Sequence, residues 1–167
     1  MKLLFVGDSH LKISQKEIGA RFLNLLLETI KDEKPAAIVL SGDQTDSFSI
    51  IRSEILTLWS SFMEEAGKLT KIIAIVGNHD LSGVDGGTNS MRPFASYPGV
   101  TVVDKPIEIQ NIGTFFPFFR DVKEFELGCS ELQGGTLLFC HQSFNGAQFQ
   151  NGFYDPNGAD LQYVKHL

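Results

Sequence analysis

Long apolar runs are missing from this sequence, and so is any excess of positive charge. No stretch approaches the roughly 18–20 apolar residues that span a bilayer. Leu3 to Val6, near the N-terminus, is broken at once by Gly7-Asp8 and is too short for the apolar segment of a secretory signal. Together these absences predict a cytoplasmic protein with no membrane partner. Lys and Arg number 14 against 20 Asp and Glu, a formal net charge of −6, which excludes a broad DNA-binding surface built from side chains alone. Nucleic acid itself is not excluded, because bound divalent cations add positive charge that a residue count omits. Cysteine is scarce too. Cys129 and Cys140 form no CxxC pair and no disulfide framework. Cys140 ends an apolar run, so a buried reduced thiol is expected there.

What remains is a chain of 167 residues with 43% hydrophobic content, enough for one domain over 1–167 with a substantial core. From Gln15 to Lys31 the residues Ile18, Phe22, Leu25, Leu26 and Ile30 fall at helical spacing, and Leu23 and Leu27 broaden the face into that of a well-buried helix. A second helix is predicted from Ile50 to Ala66, with Ile51, Ile55, Leu58 and Phe62 on one side and Gly67 as its stop. Both lie between apolar, β-branched runs, so the order reads strand, helix, strand, helix, strand. Asp8 and Asp43 are 35 residues apart, as are Asp43 and Asn78, an interval that suits βαβ crossovers of about 30 residues or more. Right-handed crossovers keep such strands parallel, and ligands bind at the edge formed by their C-terminal ends.

Beyond Asp80 the pattern changes. Ser82 to Ser90 is rich in Gly, Ser, Asn and Asp and predicts a loop beside that edge. Shorter strands are predicted at 100–103, 107–109, 113–119 and 136–140, and Phe144 to Gly158, without periodicity, predicts another loop near His141. The expected class is α/β: two packed sheets with helices outside.

Four of the apolar runs end in side chains that bind metals: Gly7-Asp8-Ser9-His10, Gly42-Asp43 with Asp46, Gly77-Asn78-His79-Asp80, and His141. Singly, each can be a turn or a helix cap. Polar groups at a core edge cost free energy unless paired or coordinated, so their convergence points to a metal. Carboxylate, imidazole and amide oxygen favour Mn²⁺, Fe or Zn²⁺ over Ca²⁺, and the absence of thiolate argues against a structural zinc site. Asp43, from the middle strand, could bridge two ions. Ions about 3.5–4 Å apart suit phosphate ester hydrolysis, since they activate water and neutralise phosphoryl charge.

In order, Asp8-x-His10, Gly42-Asp43-x-x-Asp46, Gly77-Asn78-His79-Asp80 and His141 resemble the motifs of the calcineurin-like metallophosphoesterases. The resemblance implies a four-layer β-sandwich flanked by helices and a centre of two divalent ions, Mn²⁺ first. By it Asp8 and His10 hold one ion, Asp43 bridges, and Asn78 and His141 hold the other. His79 faces the substrate and protonates the leaving oxygen, Asp80 orients His79, and Asp46 accepts a hydrogen bond behind the ligands. The family also carries a Gly-His-x-His motif downstream, which this chain lacks; His166 does not match it, so the expectation is the N-terminal part of a longer enzyme. The Gly-Asp-Ser-His-Leu opening and Phe115 to Arg120 resemble the nuclease branch that includes SbcD-like and Mre11-like repair subunits. That implies a phosphodiesterase or DNA exonuclease with an ATPase partner subunit. A phosphatase acting on small molecules or phosphoproteins would use the same ions, and a scaffold of this fold would use none.

Overall fold

The computed structural model describes residues 1–47, 50–82, 88–149 and 151–167. In chain order its strands are β1 (Leu3–Val6), β2 (Ala37–Leu40), β3 (Lys71–Ile75), β4 (Leu81–Ser82), β5 (Thr88–Asn89), β6 (Val100–Val103), β7 (Ile107–Ile109), β8 (Gly113–Phe116) and β9 (Leu138–Cys140). The α-helices are α1 (Lys16–Glu33), α2 (Ser53–Leu69) and α3 (Val122–Ser130). β1, β2, β3 and β6 form one parallel sheet in that order, with Leu3 opposite Ala37, Ala37 opposite Lys71 and Ile72 opposite Val100. Because the strand order never reverses, right-handed crossovers put α1 and α2 on the same face.

Alternation along the strands then sorts the side chains into layers. Leu4, Val6, Ile38, Leu40, Ile72 and Ala74 pack against Leu23, Leu26 and Ile30 of α1 and Ile55, Trp59 and Phe62 of α2. Ala37, Val39, Ile73 and Ile75 face the other way, onto Phe115 and Phe139 of the second sheet, whose order is β7-β8-β9. On its far side Phe116, Leu138 and Cys140 meet Phe125 and Cys129 of α3. Helices, sheet, sheet and helix make the expected four layers. Strands covered on both faces read as continuous apolar runs, and β2 is buried at all four positions.

Several expectations shift in detail. α1 is narrower in its burial than its seven apolar residues suggested: Ile18 and Leu25 are 65% and 60% exposed, since only one stripe of a helix can face a sheet. It ends at Lys34, in the left-handed region at φ 45°, just before Pro35. Gly67 does not stop α2, which runs two residues past it. A Cβ there would collide with the Pro98 carbonyl oxygen, so glycine permits the turn before β6 to press against the helix. α3 was not anticipated; Asp121 caps it by accepting from the Lys123 N–H at 2.9 Å. The strand expected at 113–119 stops at Phe116, before Pro117. Residues 83–87 of the expected loop at 82–90 lie outside the described residues, and its flanks pair as β4 and β5. The other loop is pinned by bridges Phe144–Ala159 and Gln148–Tyr154.

Both cysteines are free thiols in the layer under α3. Cys129 is fully buried, and burial, then the neighbouring Cys140 and Glu126 charges, pushes its thiol up to about 12. Cys140 is only half-buried, against the expected full burial, yet burial still pushes it up to about 11. No helix among the described residues is long and apolar enough to cross a membrane.

Candidate metal centre

β1, β2 and β3 end on one edge, and the segments after them are laced together. The His10 N–H donates to the Asp43 carbonyl at 2.9 Å and the Leu11 N–H to that of Gln44 at 3.1 Å. Two of the predicted ligands pay for this in backbone strain: His10 and Asp43 sit at φ 42° and 53°, a region costly for side chains other than glycine. Such outliers persist only where the surroundings over-determine them.

Asp43, 4% exposed, lies at the middle of the cluster. Its Oδ2 is 3.6 Å from His10 Nε2, and its Oδ1 is 3.5 Å from His141 Nε2. Each oxygen of one carboxylate therefore faces a different imidazole. Oδ1 also accepts from the His79 N–H at 2.8 Å. His141 arrives from β9, in the other sheet. Its Nδ1 lies 2.8 Å from the Ser41 carbonyl, which can only accept, so Nδ1 carries the proton and Nε2 is left with a lone pair. That nitrogen faces Asn78 Oδ1 at 3.0 Å. Lone pairs of an imidazole, an amide oxygen and a carboxylate thus converge with no hydrogen between them. A divalent cation seated among them would relieve that arrangement, and the donor set suits one.

The remaining predicted residues fall into place unevenly. Asp8 is exposed, and its Oδ1 is 3.8 Å from His141 Nδ1, so it stands beside His141 where the resemblance had paired it with His10. His79, expected to stay out of the ligand set, contributes a ring nitrogen within 4.8 Å of a ring nitrogen of His10 and a carboxylate oxygen of Asp43. Its ring meets that of His10 edge-on at 4.8 Å.

Asp80 needs a correction. The His79 Nδ1 lies 3.0 Å from the Asp46 backbone carbonyl, so Asp46 orients this ring, through its main chain. The Asp46 side chain points instead toward His10 Nδ1 and Lys12 Nζ, at 4.0 and 3.5 Å. Asp80, wholly buried, accepts from the N–H groups of Gly77, Gln44 and Thr45 and from the hydroxyls of Thr45 and Ser90, at 3.0 to 3.3 Å. The Gln44 amide is satisfied with its nitrogen on Asp80 at 2.8 Å and its oxygen on the Gly42 N–H at 3.1 Å. Burial pushes the Asp80 carboxyl above its ordinary 3.8; the Gly77, Thr45 and Ser90 donors pull it back, and the Asp43 charge raises it again. An acidic residue three positions after a glycine at a strand end satisfies the loops here, and sequence alone could not distinguish that task from orienting a histidine.

Two glycines were quoted in the motifs without a role. A Cβ on Gly77 would strike Asp43 Oδ1, and one on Gly42, at φ 111°, would strike the His141 ring. The ligands therefore close onto bare backbone. Gly42→Ala is expected to displace His141 and reduce metal occupancy to about half or less, on the strength of both the strain and the collision. Equal metal content in the variant and the parent, measured by elemental analysis, would count against this packing role.

The sequence profile of the calcineurin-like phosphoesterases matches residues 1–162. The chain belongs to that family. Among curated relatives, the "Putative phosphoesterase 078R" of Invertebrate iridescent virus 3 is 25% identical over 163 residues, 89% of this chain and 46% of the relative. The "Putative phosphoesterase 244L" of Invertebrate iridescent virus 6 is 28% identical over 157 residues, 88% of this chain and 55% of the relative. This calcineurin-like chain thus spans about half the length of those relatives. Of solved structures, the Pseudomonas putida nuclease MPE is similar at a TM-score of 0.42 and 22% identity, covering 68% of this chain and 51% of that one. The YfcE phosphoesterase from E. coli is similar at 0.38 and 17%, covering 72% and 58%.

Proposed function

We propose that this calcineurin-like protein is a metal-dependent phosphoesterase whose substrates are phosphodiesters, DNA among them. The observation that carries the reading is Asp43, whose two oxygens address His10 and His141 separately, as a bridging carboxylate must. His10 and Asp43, with Asp8 once its exposed side chain turns from His141 toward His10, would hold one divalent ion; Asp43, Asn78 and His141 would hold the second. Bound there, the ions would supply an activated water and neutralise charge on the phosphoryl oxygens.

The chain's own residues carry the rest. In hydrolysis a water oxygen bonds to phosphorus as the ester P–O bond breaks, and the leaving oxygen, keeping the bonding pair, needs a proton. His79 would supply it. With Nδ1–H held by the Asp46 carbonyl, the ring offers a proton at Nε2 only as imidazolium, and bulk water restores it after each turnover. Ser41, through the His141 Nδ1–H, keeps Nε2 of that ring turned inward.

Assaying the protein, expressed through its natural stop codon, with Mn²⁺ against bis-p-nitrophenyl phosphate and single-stranded DNA tests the reading. Turnover of both is expected; no turnover of either, together with no bound metal, would leave the scaffold alternative standing. Turnover of monoesters alone would move the substrate class to a phosphatase. Asp43→Asn removes the bridging negative charge and is expected to reduce metal content to less than one ion per chain. Two ions retained in that variant would contradict the bridging role.

A further inference from the structure

Next to the imidazoles lies a cavity of about 270 Å³ bounded by Leu11, Lys12, Ile13, Asp46, Ile51 and Arg52. Asp46 is its shared wall with the centre: the side chain stands 4.0 Å from His10 Nδ1 and the carbonyl 3.0 Å from His79 Nδ1. A substrate atom held between those rings is therefore one residue's width from the cavity. The lining has two properties. Its charged groups are Lys12 and Arg52 against the single carboxylate of Asp46, which Lys12 Nζ approaches at 3.5 Å, so the lining keeps one positive charge in excess in a chain whose net charge is −6. Its apolar part is open, with Ile13 45% exposed and Ile50, also on the lining, 71% exposed.

Cations beside uncovered isoleucines suit a ligand that is anionic at one end and flat and apolar at the other. Inorganic phosphate would leave the isoleucines in water, and a purely apolar group would leave the cations unused. From this we infer that the cavity receives the nucleotide unit flanking the scissile phosphate, with that unit's own phosphate against Lys12 and Arg52 and its base on Ile13, Ile50 and Ile51. The volume, just below the usual range of small-molecule sites, limits the cavity to one such unit at most and excludes a length of strand. This inference rests on the phosphoesterase reading and narrows it to substrates with a neighbouring nucleotide.

The test compares a 5′-phosphorylated thymidine dinucleotide with bis-p-nitrophenyl phosphate, which has no second phosphate, in Mn²⁺-loaded protein. Arg52→Gln and Lys12→Gln should each lower kcat/KM for the dinucleotide about tenfold relative to bis-p-nitrophenyl phosphate, chiefly through KM. Equal losses on both substrates would overturn the subsite. So would a loss confined to a phosphotyrosine peptide, which would assign the cavity to phosphoproteins. Binding is read separately, from the methyl resonances of Ile13, Ile50 and Ile51 during titration with the dinucleotide. Shifts at these methyls that vanish in Arg52→Gln support the subsite even if no ester is turned over, an outcome that would sink only the phosphoesterase reading. Absent shifts would sink the subsite while turnover kept that reading intact.

Discussion

Asp80→Ala is expected to lower unfolding stability by about 3–5 kcal/mol, the cost of stranding several buried donors at once. Six donors from Gly77, Gln44, Thr45 and Ser90 point at this carboxylate, and alanine answers none of them. Asp80→Asn keeps one accepting oxygen but turns an amide N–H₂ toward other donors, so its loss should be smaller yet still clear. Urea unfolding followed by circular dichroism measures both. If Asp80 instead served mainly to orient His79, the two variants would fold normally and lose only activity. A midpoint for Asp80→Ala within experimental error of the parent would therefore remove Asp80 from its structural place and return it to the chemistry.

His79→Ala should lower turnover of DNA about 10²–10⁴-fold, the usual range for a lost general acid. Hydrolysis of bis-p-nitrophenyl phosphate should fall far less, because p-nitrophenolate departs without needing a proton. Metal content should remain close to that of the parent, since His10, Asp43, Asn78 and His141 are untouched. The proximity of the His79 ring to His10 and Asp43 makes that last measurement decisive. A variant that loses an ion along with its activity would make His79 a ligand, and equal losses on the two esters would remove the proton-donating role.

The layers were legible because their causes are local. Apolar β-branched runs separated by amphipathic stretches specify βαβ crossovers, and parallel strands put the ends of the runs on one edge. Three things were not legible. Nine residues of α3 carry only Val122, Phe125 and Cys129 as a face, too few to stand out from the β-rich surroundings. Which apolar residues of α1 turn to solvent depends on the angle at which the helix meets the sheet, so Ile18 and Leu25 could not be separated from Leu23 and Ile30. The exchange of duties between Asp46 and Asp80 depends on a backbone carbonyl, and every residue type has one.

His141 comes from the sheet opposite the one that supplies His10, Asp43 and Asn78, and it reaches across to Asn78 at 3.0 Å. An ion gripped there would rivet the two halves of the sandwich. Chelation should then loosen their contact as well as silence the chemistry, and thermal stability should climb with free metal concentration as mass action requires.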